Sequence, residues 1–149
     1  MIDFEEPERD SVDEDFPRIE TVRDCCGRPR DFEVNLTITE GGYFLRATEV
    51  RGGPGGYQFA AHHPASPNVA LGRLQQRIAE GLATRYLVKE SGRRDLGHGR
   101  AVGHVGYGCV VIDGEEISFD ELSSILDTYE GFTFEIRVAD PFDVWQGPG

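Results

Sequence analysis

The chain has 149 residues, 38% hydrophobic and 28% charged, with a formal net charge of −12 at pH 7. That length supports one core without disulfides or a structural metal, and the negative balance disfavours a broad basic surface for nucleic acid. No apolar run approaches the roughly 18 residues that cross a bilayer, and the start MIDFEEPERD has no apolar signal-peptide core. The odd set Cys25, Cys26 and Cys109 gives no disulfide framework, so reduced thiols and a cytoplasmic setting are expected.

Residues 1–16 set eight carboxylates against Arg9 alone, which places −7 of the charge here and leaves −5 for the remainder. Such a stretch is expected to be an acidic tail, disordered in isolation. Its functional reading is an arm that docks on a basic partner, with Phe4, Glu5, Glu6, Asp13, Glu14 and Asp15 as candidate contacts and Phe16 as a further apolar anchor.

An ordered domain is expected over 17–140. Ile19–Arg23 reads as a strand and Asp24–Pro29 as a turn. Phe32, Val34, Leu36 and Ile38 alternate with polar residues, the signature of an amphipathic strand. After Gly41-Gly42, Tyr43–Val50 reads as a third strand whose inward face carries Phe44 or Leu45; alternation leaves both open. The glycine-rich run Arg51–Gly56 lacks the Gly-Lys-[Ser/Thr] of a phosphate loop and reads as a hairpin loop before a fourth strand, Tyr57–His62.

Ser66-Pro67 opens a helix, with Ser as cap and Pro at the first position. Leu71, Leu74, Ile78 and Leu82 share one face, and Gly81 is expected to end or weaken the helix. Arg73, Arg77 and Arg85 fall along an exposed side. Ser91–Arg100 reads as a polar loop, the one locally basic place, with Arg93, Arg94, His98 and Arg100 as candidate anion contacts. The glycine-rich 101–107 reads as a strand at an edge or bend.

The stretch from Cys109 to Val138 carries the densest signals. Asp113-Gly114 between β-compatible residues marks a two-residue hairpin needing positive φ at both positions. Ser118 and Glu121 form a capping box ahead of a helix with Leu122, Ile125, Leu126 and Tyr129 on one face. Gly131 is placed to end it. Phe132, Phe134, Ile136 and Val138 then alternate with Thr133, Glu135 and Arg137 as a half-buried strand. In the tail, 141–149, Trp145 and Phe142 are candidate anchors for a partner.

The run VVIDGEEISFDELSSILDTYEGFTFEIRVAD resembles the C-terminal signature of an uncharacterised bacterial family of small proteins, a domain of unknown function. There IDG is followed by an acidic residue, [IV], [ST], an aromatic, an acid-rich helix, [FY]EG[FW], F and [IL]. The resemblance extends back through ALGRLQQRIAEGLATRYL and DFPRIETV. It implies no activity. Some members carry a cysteine-rich, metal-binding-looking N-terminal segment where this chain is acidic.

The expected fold is α+β: a single domain with a mainly antiparallel sheet of about six or seven strands and two helices packed on one face. No nucleophile–base set stands out: Gly-x-Ser-x-Gly is absent, and the serines sit at caps (Ser66, Ser118) or in the second helix. A Cys109–His104 pair requires the hairpin to bring them together. The leading expectation is a non-enzymatic cytoplasmic binding or regulatory protein acting through protein contacts, with no cofactor. A small hydrolase or anion-binding enzyme using the Arg93–Arg100 loop and a histidine is the second. A zinc-stabilised module built from Cys25, Cys26, His62 and His63 is the third, although their spacing is not that of known structural sites.

Overall fold

The computed structural model describes residues 15–51 and 55–142. Four strands open the fold: β1 (Arg18–Arg23), β2 (Pro29–Thr39), β3 (Gly42–Glu49) and β4 (Gln58–His63), an antiparallel meander in that order. Helix α1 (Pro67–Ala83) lies on this sheet, against β4, β3 and β1. The alternation of β2 works as expected, since Phe32 and Val34 are fully buried beneath Leu74, Ile78 and Leu82 of α1. On β3 the inward residue is Leu45, with Ala47. Phe44 lies on the opposite face, stacked on His62 and edge-on to Phe142.

The start of α1 follows its sequence signals: the Ser66 hydroxyl accepts from Val69 N–H at 3.1 Å, with Pro67 at the first position. Its end does not. Gly81 neither ends nor interrupts the helix, which continues to Ala83. A Cβ at Gly81 would stand 2.4 Å from the Phe59 ring of β4, so glycine is there because the sheet comes that close.

A second, smaller unit comes next. Strands β5 (Leu87–Glu90) and β6 (Arg93–Leu96) form a hairpin, and β7 (Gly103–Val105), β8 (Cys109–Ile112) and β9 (Glu115–Ser118) form a three-stranded meander. Helix α2 (Phe119–Asp127) packs on β9 and β6. Its core is separate from the first: Leu87, Ile112, Ile117 and Ile125, with Tyr86, Leu96, Val110, Leu122 and Tyr129 around them.

The fold is thus α+β, but the expected single sheet of six or seven strands is corrected to three sheets of four, two and three strands. The breaks fall where α1 intervenes and in the Gly97–Arg100 loop. The two helices likewise do not share a sheet face; each covers its own unit. The reading of Ser91–Arg100 as loop is also corrected. Ser91 and Gly92 both have positive φ, 54° and 78°, and close a two-residue hairpin in which Glu90 pairs with Arg93. No apolar alternation marks these strands, so the sequence pattern is silent there.

The Asp113-Gly114 turn has the expected geometry, with φ of 56° and 75° and Ile112 opposite Glu115. It also joins the two units. The Gly114 carbonyl accepts from Gly56 N–H at 2.7 Å and from Arg51 Nη1 at 3.0 Å. The carboxylate of Asp113, buried at 5% exposure, accepts from the backbone N–H groups of Tyr86 and Leu87 at 2.8–3.1 Å.

Candidate functional site

Helix α2 ends earlier than expected, at Asp127 with Thr128 as its cap, and the chain then turns through Gly131 at φ +90°. The residues beyond this turn do not form a ladder strand. Phe132, Phe134, Ile136 and Val138 are 72–83% exposed, and among the described residues no backbone hydrogen bond links 133–140 to the rest. This corrects the expected half-buried strand. Alternation fixes which side chains share a face but supplies no free edge. The edge of β9 is met instead by Arg94, whose Nη2 donates to Glu116 O at 3.2 Å.

The segment keeps strand-like sidedness: Arg137 Nη2 lies 3.5 Å from Glu135 Oε2, two residues back on the same side. It is held at both ends. Phe132 packs edge-on to Tyr129 at 5.5 Å and its N–H bonds to Tyr129 O. Phe142 packs on Phe44 of the first sheet and lies under Arg46, 5.0 Å away. Four large apolar side chains in a row, on a backbone not paired with any other described residue, form the contiguous apolar exposure that marks contact surfaces.

The residues expected to bind anions are differently employed. Arg94 reaches Glu121 through Nε at 2.7 Å and Glu115 through Nη1 at 2.8 Å. The Glu121 bonds, acting against burial, hold its guanidinium pKa well above the usual range. Arg94 hydrogen bonds pull Glu121 below the ordinary glutamate value, and at Glu115 they and Arg85 outweigh burial to the same effect. Glu121 therefore completes only half of the capping box, with its N–H on Ser118 Oγ and its carboxylate on Arg94. Arg100 lies 5.9 Å from the Tyr86 ring, and Arg93 and His98 are exposed.

Cys25 and Cys26 are not brought to His62 and His63. Cys25 N–H bonds to Leu82 O at the end of α1, whereas His63 Nδ1 accepts from Ala65 and Ser66 N–H at its start. The 17-residue helix between them is about 25 Å long, against zinc–ligand bonds of about 2 Å. Among the described residues no group of three or more His, Cys, Asp or Glu is placed to hold a metal. Cys109 and His104 are not partnered either. The buried Cys109 thiol faces Glu116 at 3.4 Å, and burial and that carboxylate push its pKa up, away from thiolate. Burial, with Arg46, lowers that of His104. A cleft of about 240 Å³ lined by Phe16, Pro17, Asn35 and Leu36 holds no titratable group.

Sequence reasoning missed the role of two arginines. Arg73 donates to His62 O at 3.0 Å and Arg77 to Ala60 O at 2.5 Å, so α1 covers the outer carbonyls of the edge strand β4. Their i, i+4 spacing on the helix was the available signal. Of the tail contacts, Asp15 is exposed; Phe4, Glu5, Glu6, Asp13, Glu14 and Trp145 lie outside the described residues.

Two families of unknown function match the chain. Residues 14–83 match a domain of unknown function (DUF7686), and residues 86–143 match a second (DUF7713). The gap between the matches falls at the passage from the first core to the second. No curated protein and no solved structure matches. Among the described residues no helix is long and apolar enough to cross a membrane.

Proposed function

We propose that the chain is a non-enzymatic protein-binding module whose contact element is Phe132–Val138, offered to the edge of a partner's β-sheet. The observation that carries this is the row Phe132, Phe134, Ile136 and Val138, exposed on a segment whose backbone at 133–140 has no hydrogen bond to the other described residues. Strand addition uses both properties at once, since main-chain hydrogen bonds supply affinity and alternate side chains supply specificity. The acidic residues 1–16 would add an electrostatic contact to a basic patch beside that edge. A reducing, bacterial cytosol is the setting that goes with it, supported by the three free cysteines. The enzyme reading is less well supported because Arg94 already holds Glu115 and Glu121.

The test replaces Phe134 with the photo-reactive p-benzoylphenylalanine and irradiates cells. A discrete protein adduct is expected, lost when Ile136→Asp and Val138→Asp are added. Absence of any adduct, or one indifferent to those two changes, sinks the reading.

A further inference from the structure

We infer that the partner at Phe132–Val138 is a second copy of the same chain, the two segments pairing antiparallel about a two-fold axis through Ile136. This deepens the contact-module reading and rests on it. The argument is one of register. Opposed residues of an antiparallel pair point to the same face. Any two-fold centre between residues would set apolar against polar side chains, which the free apolar row disfavours. Among residue-centred registers, one through Glu135 opposes Glu135 to itself, and one through Arg137 opposes two arginines. One through Phe134 leaves Arg137 opposite Gly131.

The register through Ile136 opposes Glu135 to Arg137 of the other copy, twice by symmetry. Phe134 then faces Val138, again twice, and Ile136 meets its own copy. From 134 to 138 charge and apolar complementarity are satisfied together, as an isologous interface requires, and the mismatch of Phe132 with Asp140 is left to the two ends, where Phe132 already packs on Tyr129. Glu135 and Arg137 are on one side of the segment already, and exposed enough (77% and 52% of their side chains) to exchange partners across the axis. The edge of β4 is an unsuitable alternative seat, because Arg73 and Arg77 occupy its carbonyls.

Sedimentation velocity of the full chain over a wide concentration range tests this. The expected species is a reversible dimer of twice the 16.6 kDa chain mass. Glu135→Arg and Arg137→Glu, both at exposed sites, should each weaken it by about tenfold or more, because like charges then face each other twice. The double swap Glu135→Arg/Arg137→Glu should restore it. A chain monomeric throughout, or a dimer unmoved by either single change or not rescued by the swap, overturns the inference. Such a chain that still gives the position-134 adduct with a different protein would leave the contact-module reading standing. A monomer with no adduct would remove both.

Discussion

At the scale of single residues, Asp113 sits at a turn position with φ of 56°, a conformation that aspartate tolerates better than most residues. Its carboxylate also accepts backbone bonds from Tyr86 and Leu87, 27 and 26 residues earlier. Hydrogen bonds to a charged acceptor contribute about 1.5–3 kcal/mol each when buried. Asp113→Gly relaxes the backbone yet removes the acceptor. It is therefore expected to destabilise by about 2 kcal/mol, a melting shift of roughly 6 °C by calorimetry. An unchanged melting temperature would show that Asp113 matters only as a turn former. The turn itself was legible because Asp-Gly is a local signal. The bonds from Tyr86 and Leu87 were not, since no periodicity relates position 113 to 86.

Among the elements, α1 shows where propensity is overridden by packing. At an exposed helix site Gly→Ala stabilises by roughly 0.5–1 kcal/mol. At Gly81 the sign reverses, because the new methyl would stand only 2.4 Å from the edge of the Phe59 ring. Gly81→Ala should lower the chemical-denaturation midpoint, and Gly81→Ala with Phe59→Leu should recover part of the loss. A stabilised single variant would contradict the close approach. Both helices, their N-terminal caps and β1 to β4 could be read from apolar spacing, Ser-Pro, Ser-x-x-Glu and alternation, all of which act over a few residues. β5 and β6 could not, because Val88, Lys89, Arg93 and Arg94 present no apolar stripe. Phe132–Val138 carried a true strand pattern, but whether a partner edge exists is a property of the whole fold. The candidate contact site is for that reason visible only when sequence and structure disagree.

For the whole molecule, two cores are joined through the Asp113-Gly114 turn and through Phe142 on Phe44, and each unit carries an arginine between two carboxylates. Arg30 lies 3.0 Å from Asp24 and 2.9 Å from Glu49; Arg94 bridges Glu115 and Glu121. Asp24 is held below the usual aspartate pKa, since hydrogen bonds from Arg28 N–H, Arg30 and Cys26 N–H outweigh its burial. Glu115 and Glu121 are lowered as well. Lowered carboxylates contribute stability that is complete above their unfolded pKa values and is lost as pH falls through the folded ones. For the smaller unit that loss begins below about pH 4.5, the ordinary glutamate value. Arg94→Met should flatten its acid dependence, monitored by amide exchange of β8 and β9, while leaving that of β2 and β3 unchanged. Equal flattening in both units would mean that the turn at Asp113 makes them one cooperative body.

The attachment of Phe132 to Tyr129 and of Phe142 to Phe44 bears on how fast and how strongly anything can dock. A free tail must surrender most of its conformational entropy when it joins a sheet, about 1–2 kcal/mol per residue. Here the nine residues from Phe132 to Asp140 are strung between two fixed posts, so much of that ordering is already complete before a partner arrives. The fold behaves as a bow and the segment as its string, and cutting either post should slow capture and shorten the life of the bound state.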